Sequence, residues 1–196
     1  MKIPVHKNFF IGFLFILIGL LAIIVSIYYN KTYQVFWFCY AGLIIMGIGV
    51  LINNYYVVAS QIYILAIPNL VWSIDFFYAL INGHSLFGIV DYVFTAGPYL
   101  PKILAMQHLI SIPLGIYVIK DIKVKDAGSW VLSVFQIVLI YIITKTSTLE
   151  EFNINCAYHP CGNFAFGEFY SVVWFAAFFI MIATTYFTIK KIKIRT

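Results

Sequence analysis

At 196 residues, 63% hydrophobic and 10% charged, with a mean hydropathy of +0.97, the chain is too apolar for a soluble domain, which carries ~25% charged residues. The apolar residues fall in blocks long enough to cross a bilayer, so the sequence predicts an all-α integral membrane protein and not a β-barrel, whose short alternating segments are missing. The net charge of +5 is not a nucleic-acid signal, because most basic residues flank the apolar blocks, where they act as topology signals and headgroup contacts.

Residues 1–8 carry Lys2, His6 and Lys7 and lead into an uncharged run over 9–29. A secretory leader has a shorter apolar core of about 7–15 residues and a small-x-small cleavage site. This run ends in Ser26-Ile27-Tyr28-Tyr29, so it reads as a retained first span with interfacial tyrosines. Gly12 and Gly19 share one face, where a neighbouring helix can approach closely. The second span is 35–52 and contains Cys39, read as a buried apolar-type thiol. Residues 55–60 read as a short amphiphilic connection after Asn53-Asn54.

The third span, 61–82, holds Pro68, Asn69, Trp72, Ser73 and Asp75. Residues 83–98 are punctuated by Gly83, Gly88 and Gly97-Pro98. Their apolar middle is too short to span, and they read as an interfacial or re-entrant half-helix. His84 and Asp91 would then share a helical face; they read first as solvated loop residues and otherwise as rim residues of the same outward-facing site. The fourth span, 99–119, holds Lys102, Gln107, His108, Ser111 and Pro113; the fifth, 127–144, holds Ser133 and Gln136. A loop over 145–168 carries Cys156, His159, Cys161 and three glutamates, and the sixth span is 169–189. No internal repeat or linker divides the chain, so 1–196 reads as a single domain.

Charge orients this bundle. With six spans and both termini cytoplasmic, the inside segments collect Lys2, Lys7, Lys120, Lys123, Lys125, Lys190, Lys191, Lys193 and Arg195, leaving Lys31, Lys102 and Lys145 outside. That bias fits the positive-inside rule and requires an even number of spans. The expected location is the cell membrane, with membrane lipid as partner and no nucleic acid.

A carboxylate at membrane depth opposes insertion by ~3 kcal/mol, so Asp75 needs a partner or a task. At ~1.5 Å per residue, Asp75, His108 and Gln136 lie about 10, 14 and 12 Å below the outer surface. One polar layer is therefore expected, with Asp75 orienting His108, and Gln136 completing the network or positioning substrate. His108, Ser111 and Gly115 share a helical face, which also offers Ser111 as a nucleophile. The same residues serve equally as interhelical hydrogen-bond glue or as a proton-coupled site near prolines.

Cys156 and Cys161 flank Pro160 in a loop assigned to the outside, where paired cysteines normally form a disulfide. A quinone-linked redox pair would want C-x-x-C or a second pair, and Cys156, His159 and Cys161 do not follow a recognised zinc spacing. No cofactor motif is present: His108 is the one clearly intramembrane histidine, no lysine lies deep in a late span for a Schiff base, and the glycine, P-loop and nucleophile-elbow fingerprints are missing.

Three functional readings follow. The first is a small enzyme acting on a lipid or isoprenoid through Asp75, His108, Gln136 and Ser111. The second is a proton-coupled transporter or channel subunit. The third is a non-catalytic scaffold. Oligomeric state is not encoded in any readable feature.

Overall fold

The computed structural model describes residues 5–120, 126–161 and 167–194. Lys2, Lys123, Lys125 and Arg195, part of the topology argument, lie outside them. Helices are the sole regular secondary structure among the described residues: α1 (Val5–Tyr28), α2 (Phe38–Leu51), α3 (Tyr55–Asn82), α4 (Asp91–Phe94), α5 (Tyr99–Ala105), α6 (Gln107–Ile119), α7 (Asp126–Ser147) and α8 (Tyr170–Ile194). Five helical stretches, Asn8–Tyr28, Tyr55–Asn82, Tyr99–Ile119, Gly128–Ser147 and Gly167–Lys191, are long and apolar enough to cross a membrane. α2 is equally apolar but has only 14 residues, preceded by a 3₁₀ turn at Thr32–Phe36.

Consecutive long helices run antiparallel. Along α1 and α2, Gly12 lies against Gly47 and Leu51, and Gly19 against Tyr40 and Ile44. A Cβ on Gly47 would fall 2.6 Å from the Gly12 carbonyl oxygen, so the backbones meet where only glycine fits. Close approach matters in lipid, because acyl chains are as apolar as leucine and helices associate through packing and hydrogen bonds instead. α2 returns along α3, with Gly49 at Val57 and Val58 and Gly42 at Leu65. α6 descends α3, with Ser111 opposite Asn69 and Gly115 against Ile62. α7 contacts α3 at Ser60 and Gln61, and α8 comes back against α7 through Tyr141, Ser171 and Trp174. α1, α3 and α7 therefore finish at one end, hereafter the loop end.

Three expected boundaries change. Residues 55–60 are the first turns of α3, and Val58, Ala59 and Ser60 are fully buried. Packing on Gly49 and on Ser133 overrides the polar character that suggests a connection. The 99–119 stretch breaks at Met106, where the Met106 amide donates to Ile103 and Leu104 and the Leu109 amide to Met106. Residues 83–98 form an irregular loop with one helical turn, α4; His84 and Asp91 share no helical face and are both exposed, as solvated loop residues are.

The main core joins all the long helices and includes Phe15, Leu43, Met46, Ile62, Ile119, Ile137 and Ile182. A second, smaller core forms at the loop end from Trp72, Ala79, Val90 and Ala105, with Phe76, Ile89, Val93, Met106 and Leu109 around it. The candidate site lies in this second core.

Candidate functional site beneath the 83–94 loop

Asp75 is fully buried, and four backbone amides meet its carboxylate. Leu86 and Phe87 donate to Oδ1, both at 2.7 Å; Ile89 and Val90 donate to Oδ2 at 2.8 and 3.1 Å. An ionised carboxylate only accepts and offers about four lone-pair directions, so this set fills it. Such charge-assisted bonds are roughly twice as strong as neutral ones. The loop can aim four amides inward because Gly88 turns at φ +80°, a conformation that favours glycine. Ser85 completes the turn: its hydroxyl accepts from the Gly88 amide at 3.1 Å and donates to Asp91.

His108 is held separately. The break at Met106 leaves the Ala105 carbonyl without the amide of Leu109, and His108 Nδ1 takes it at 2.8 Å. A carbonyl can only accept, so Nδ1 carries the proton and Nε2 the lone pair. Gln107, whose carboxamide lies 3.1 Å from Nδ1, must then turn its oxygen toward that ring nitrogen. The imidazole stacks on Trp72 with centroids 4.8 Å apart, and Trp72 stacks in turn on Phe76. Trp72 Nε1 donates to the Tyr92 hydroxyl at 3.2 Å. His108 Nε2 has no partner among the described residues.

Asp75 and His108 thus sit in one core without hydrogen-bonding each other. Ser111 also faces elsewhere: its Oγ accepts from Asn69 Nδ2 at 2.8 Å, a buried α3–α6 bond. Gln136 lies farthest away. Its Oε1 accepts from Gln61 Nε2 at 3.0 Å, and Gln61 also donates to Ser60. Gln61 precedes Asp75 by about 21 Å along α3 at ~1.5 Å per residue, so the polar residues occupy separate levels. Ser133 extends the lower level by donating to the Ser60 and Ser129 carbonyls.

No protein-family model matches this chain, and neither does any curated protein or solved structure in the comparisons made. Its chemistry must therefore be read from the residues alone.

A second constellation closes the same end. Asn155 adopts φ +54°, tolerable for asparagine, and its side chain joins three segments. Oδ1 accepts from the Phe38 amide at 2.8 Å, while Nδ2 donates to the Phe36 carbonyl and Thr144 Oγ1, each at 2.9 Å. Its carbonyl accepts from Trp174 Nε1 at 3.0 Å. Next to it, Cys156 and Cys161 lie at disulfide distance, with Cα atoms 5.3 Å apart. The thiols are therefore directed at each other, whereas the His159 ring is paired with Asn153.

Sequence reasoning missed Gln61, Asn69, Tyr92 and Asn155. Asn69 and Gln61 carried a usable signal, since each is a polar residue on the helix that holds Asp75. Asn155 carried none, because its role depends on a left-handed backbone and on carbonyls that any residue supplies.

Proposed function

We propose that this chain is a non-catalytic multi-pass protein of the cell membrane, with six spans and both termini cytoplasmic, whose intramembrane polar residues hold a capped outer end in shape. The observation that carries this reading is the filling of Asp75 by four loop amides. A carboxylate so occupied is a structural clasp and has no lone pair left to orient an imidazole or accept a substrate proton. Ser111 and Gln136, each bonded to a neighbouring helix, act as interhelical glue of ~1 kcal/mol apiece.

The six-span topology rests on the antiparallel return of α2 along both α1 and α3. Completed by the 3₁₀ turn ahead of it, α2 acts as a sixth crossing, with local bilayer thinning accommodating its length. The Cys156–Cys161 pair suits an oxidising compartment at the loop end, opposite Lys190 and Lys191. Reporter fusions at Asn30 and after Asn54, on either side of α2, test this: opposite compartments support six spans, and the same compartment refutes them.

The functional test uses purified protein in nanodiscs with a radiolabelled total lipid extract. The reading expects no turnover above empty discs. Lipid turnover that vanishes in Asp75→Asn while the variant remains folded would overturn it and restore an enzyme.

A further inference from the structure

We propose that His108 Nε2 and the Tyr92 hydroxyl form a binding site for a lipid alcohol, an otherwise apolar molecule bearing a hydroxyl group. This goes beyond the structural role of the polar residues, because these are the polar atoms of the second core which that role leaves unused. Nδ1 is committed to Ala105, so Nε2 presents a lone pair and accepts. The imidazole that carries it is half-buried.

Tyr92 supplies the complement. Its oxygen accepts from Trp72 Nε1, and its own proton has no acceptor among the described residues. Both groups stand against the same indole, His108 by stacking and Tyr92 by hydrogen bond. One acceptor and one donor match a hydroxyl, which donates one hydrogen bond and accepts others. Trp72, Phe76 and Phe94 stack in series beside them and offer an apolar wall to a hydrocarbon chain. Charge argues against an anionic headgroup. Lys102, on adjacent α5, is spent on the Thr95 carbonyl, and Asp75 offers nothing to a cation once its four amides are in place. The lone pair on a neutral imidazole also makes it a poor site for phosphate, which needs donors.

The test uses the full chain in phosphatidylcholine nanodiscs and a diazirine-bearing long-chain alcohol as photoprobe. Labelling should map to peptides containing Trp72, Tyr92 or His108 and be competed by unlabelled hexadecanol. The hexadecyl methyl ether, which cannot donate, should compete at least ~5-fold less well, the cost of one hydrogen bond. His108→Phe keeps a ring to stack on Trp72 but removes the lone pair, and should cut labelling by a similar factor, whereas His108→Gln should retain part of it. Equal competition by ether and alcohol, or labelling spread over all the helices, overturns the proposal. The ether comparison is made on the wild type, so it decides even if His108→Phe fails to fold. A lipid-turnover activity would refute the non-catalytic reading while leaving this site standing.

Discussion

The 83–94 loop and the 150–161 loop both close the end of the bundle where α3 and α7 finish, but a carboxylate holds one and a carboxamide with a disulfide holds the other. Asp75 can only accept, so it gathers amides from a single loop that curls around it. Asn155 both accepts and donates, so it can join an amide of one segment to the carbonyl of another and to a hydroxyl of a third. The first device fixes the shape of one loop upon its own helix. The second fixes the relative positions of α2, α7 and α8. Both satisfy backbone groups that would otherwise be costly at the edge of a low-dielectric region.

Separate substitutions should break the two devices separately. Asp75→Ala should cause the largest loss, about 3 kcal/mol, because it leaves four donors without an acceptor. Asp75→Asn should recover part of that, since its oxygen can still serve one pair of amides. Thermal unfolding in detergent would measure both, and limited proteolysis should show new cleavage within 83–94 while 150–161 stays resistant. Asn155→Ala should cost about 2 kcal/mol by the same reasoning and reverse the proteolysis pattern. Opening the Cys156–Cys161 link by paired serine substitution should also cost about 2 kcal/mol, the loop-closure value for so short a ring, and should loosen only the second loop.

Smaller effects belong to the helix interfaces. Ser111→Ala strands Asn69 Nδ2 and should cost about 1 kcal/mol, and a double-mutant cycle with Asn69→Leu should show coupling between the two. Gln136→Leu should be mildest, ~0.6 kcal/mol, and should leave both loops protected. A large shift from Gln136→Leu alongside a silent Asp75→Asn would reverse the ranking and contradict the separation of levels.

The sequence conveyed the five long apolar helices well because an apolar run of membrane length has few other uses. It conveyed Asp75 as costly but not how the cost is met, since the partners are backbone amides that leave no mark in residue identity. The expectation of a shared layer arose from measuring depth from the ends of runs. α3 is 28 residues long and begins at Tyr55, so Gln61 lies well inside it and meets Gln136 far from Asp75. The break at Met106 was equally hidden, with no glycine or proline at that position, yet it frees the carbonyl that orients His108. Cys156 and Cys161 were legible because two nearby thiols on one loop have a limited choice of partners.

The central claim is that Asp75 clasps the loop through four amides and does not serve His108. Site-resolved hydrogen exchange of the protein in nanodiscs tests it most directly. In Asp75→Asn, protection should fall at the pair of amides that loses its oxygen, either Leu86 and Phe87 or Ile89 and Val90, while His108→Phe should leave all four as slow as in the wild type. Unchanged protection at all four in Asp75→Asn, or its loss on His108→Phe alone, would contradict the account.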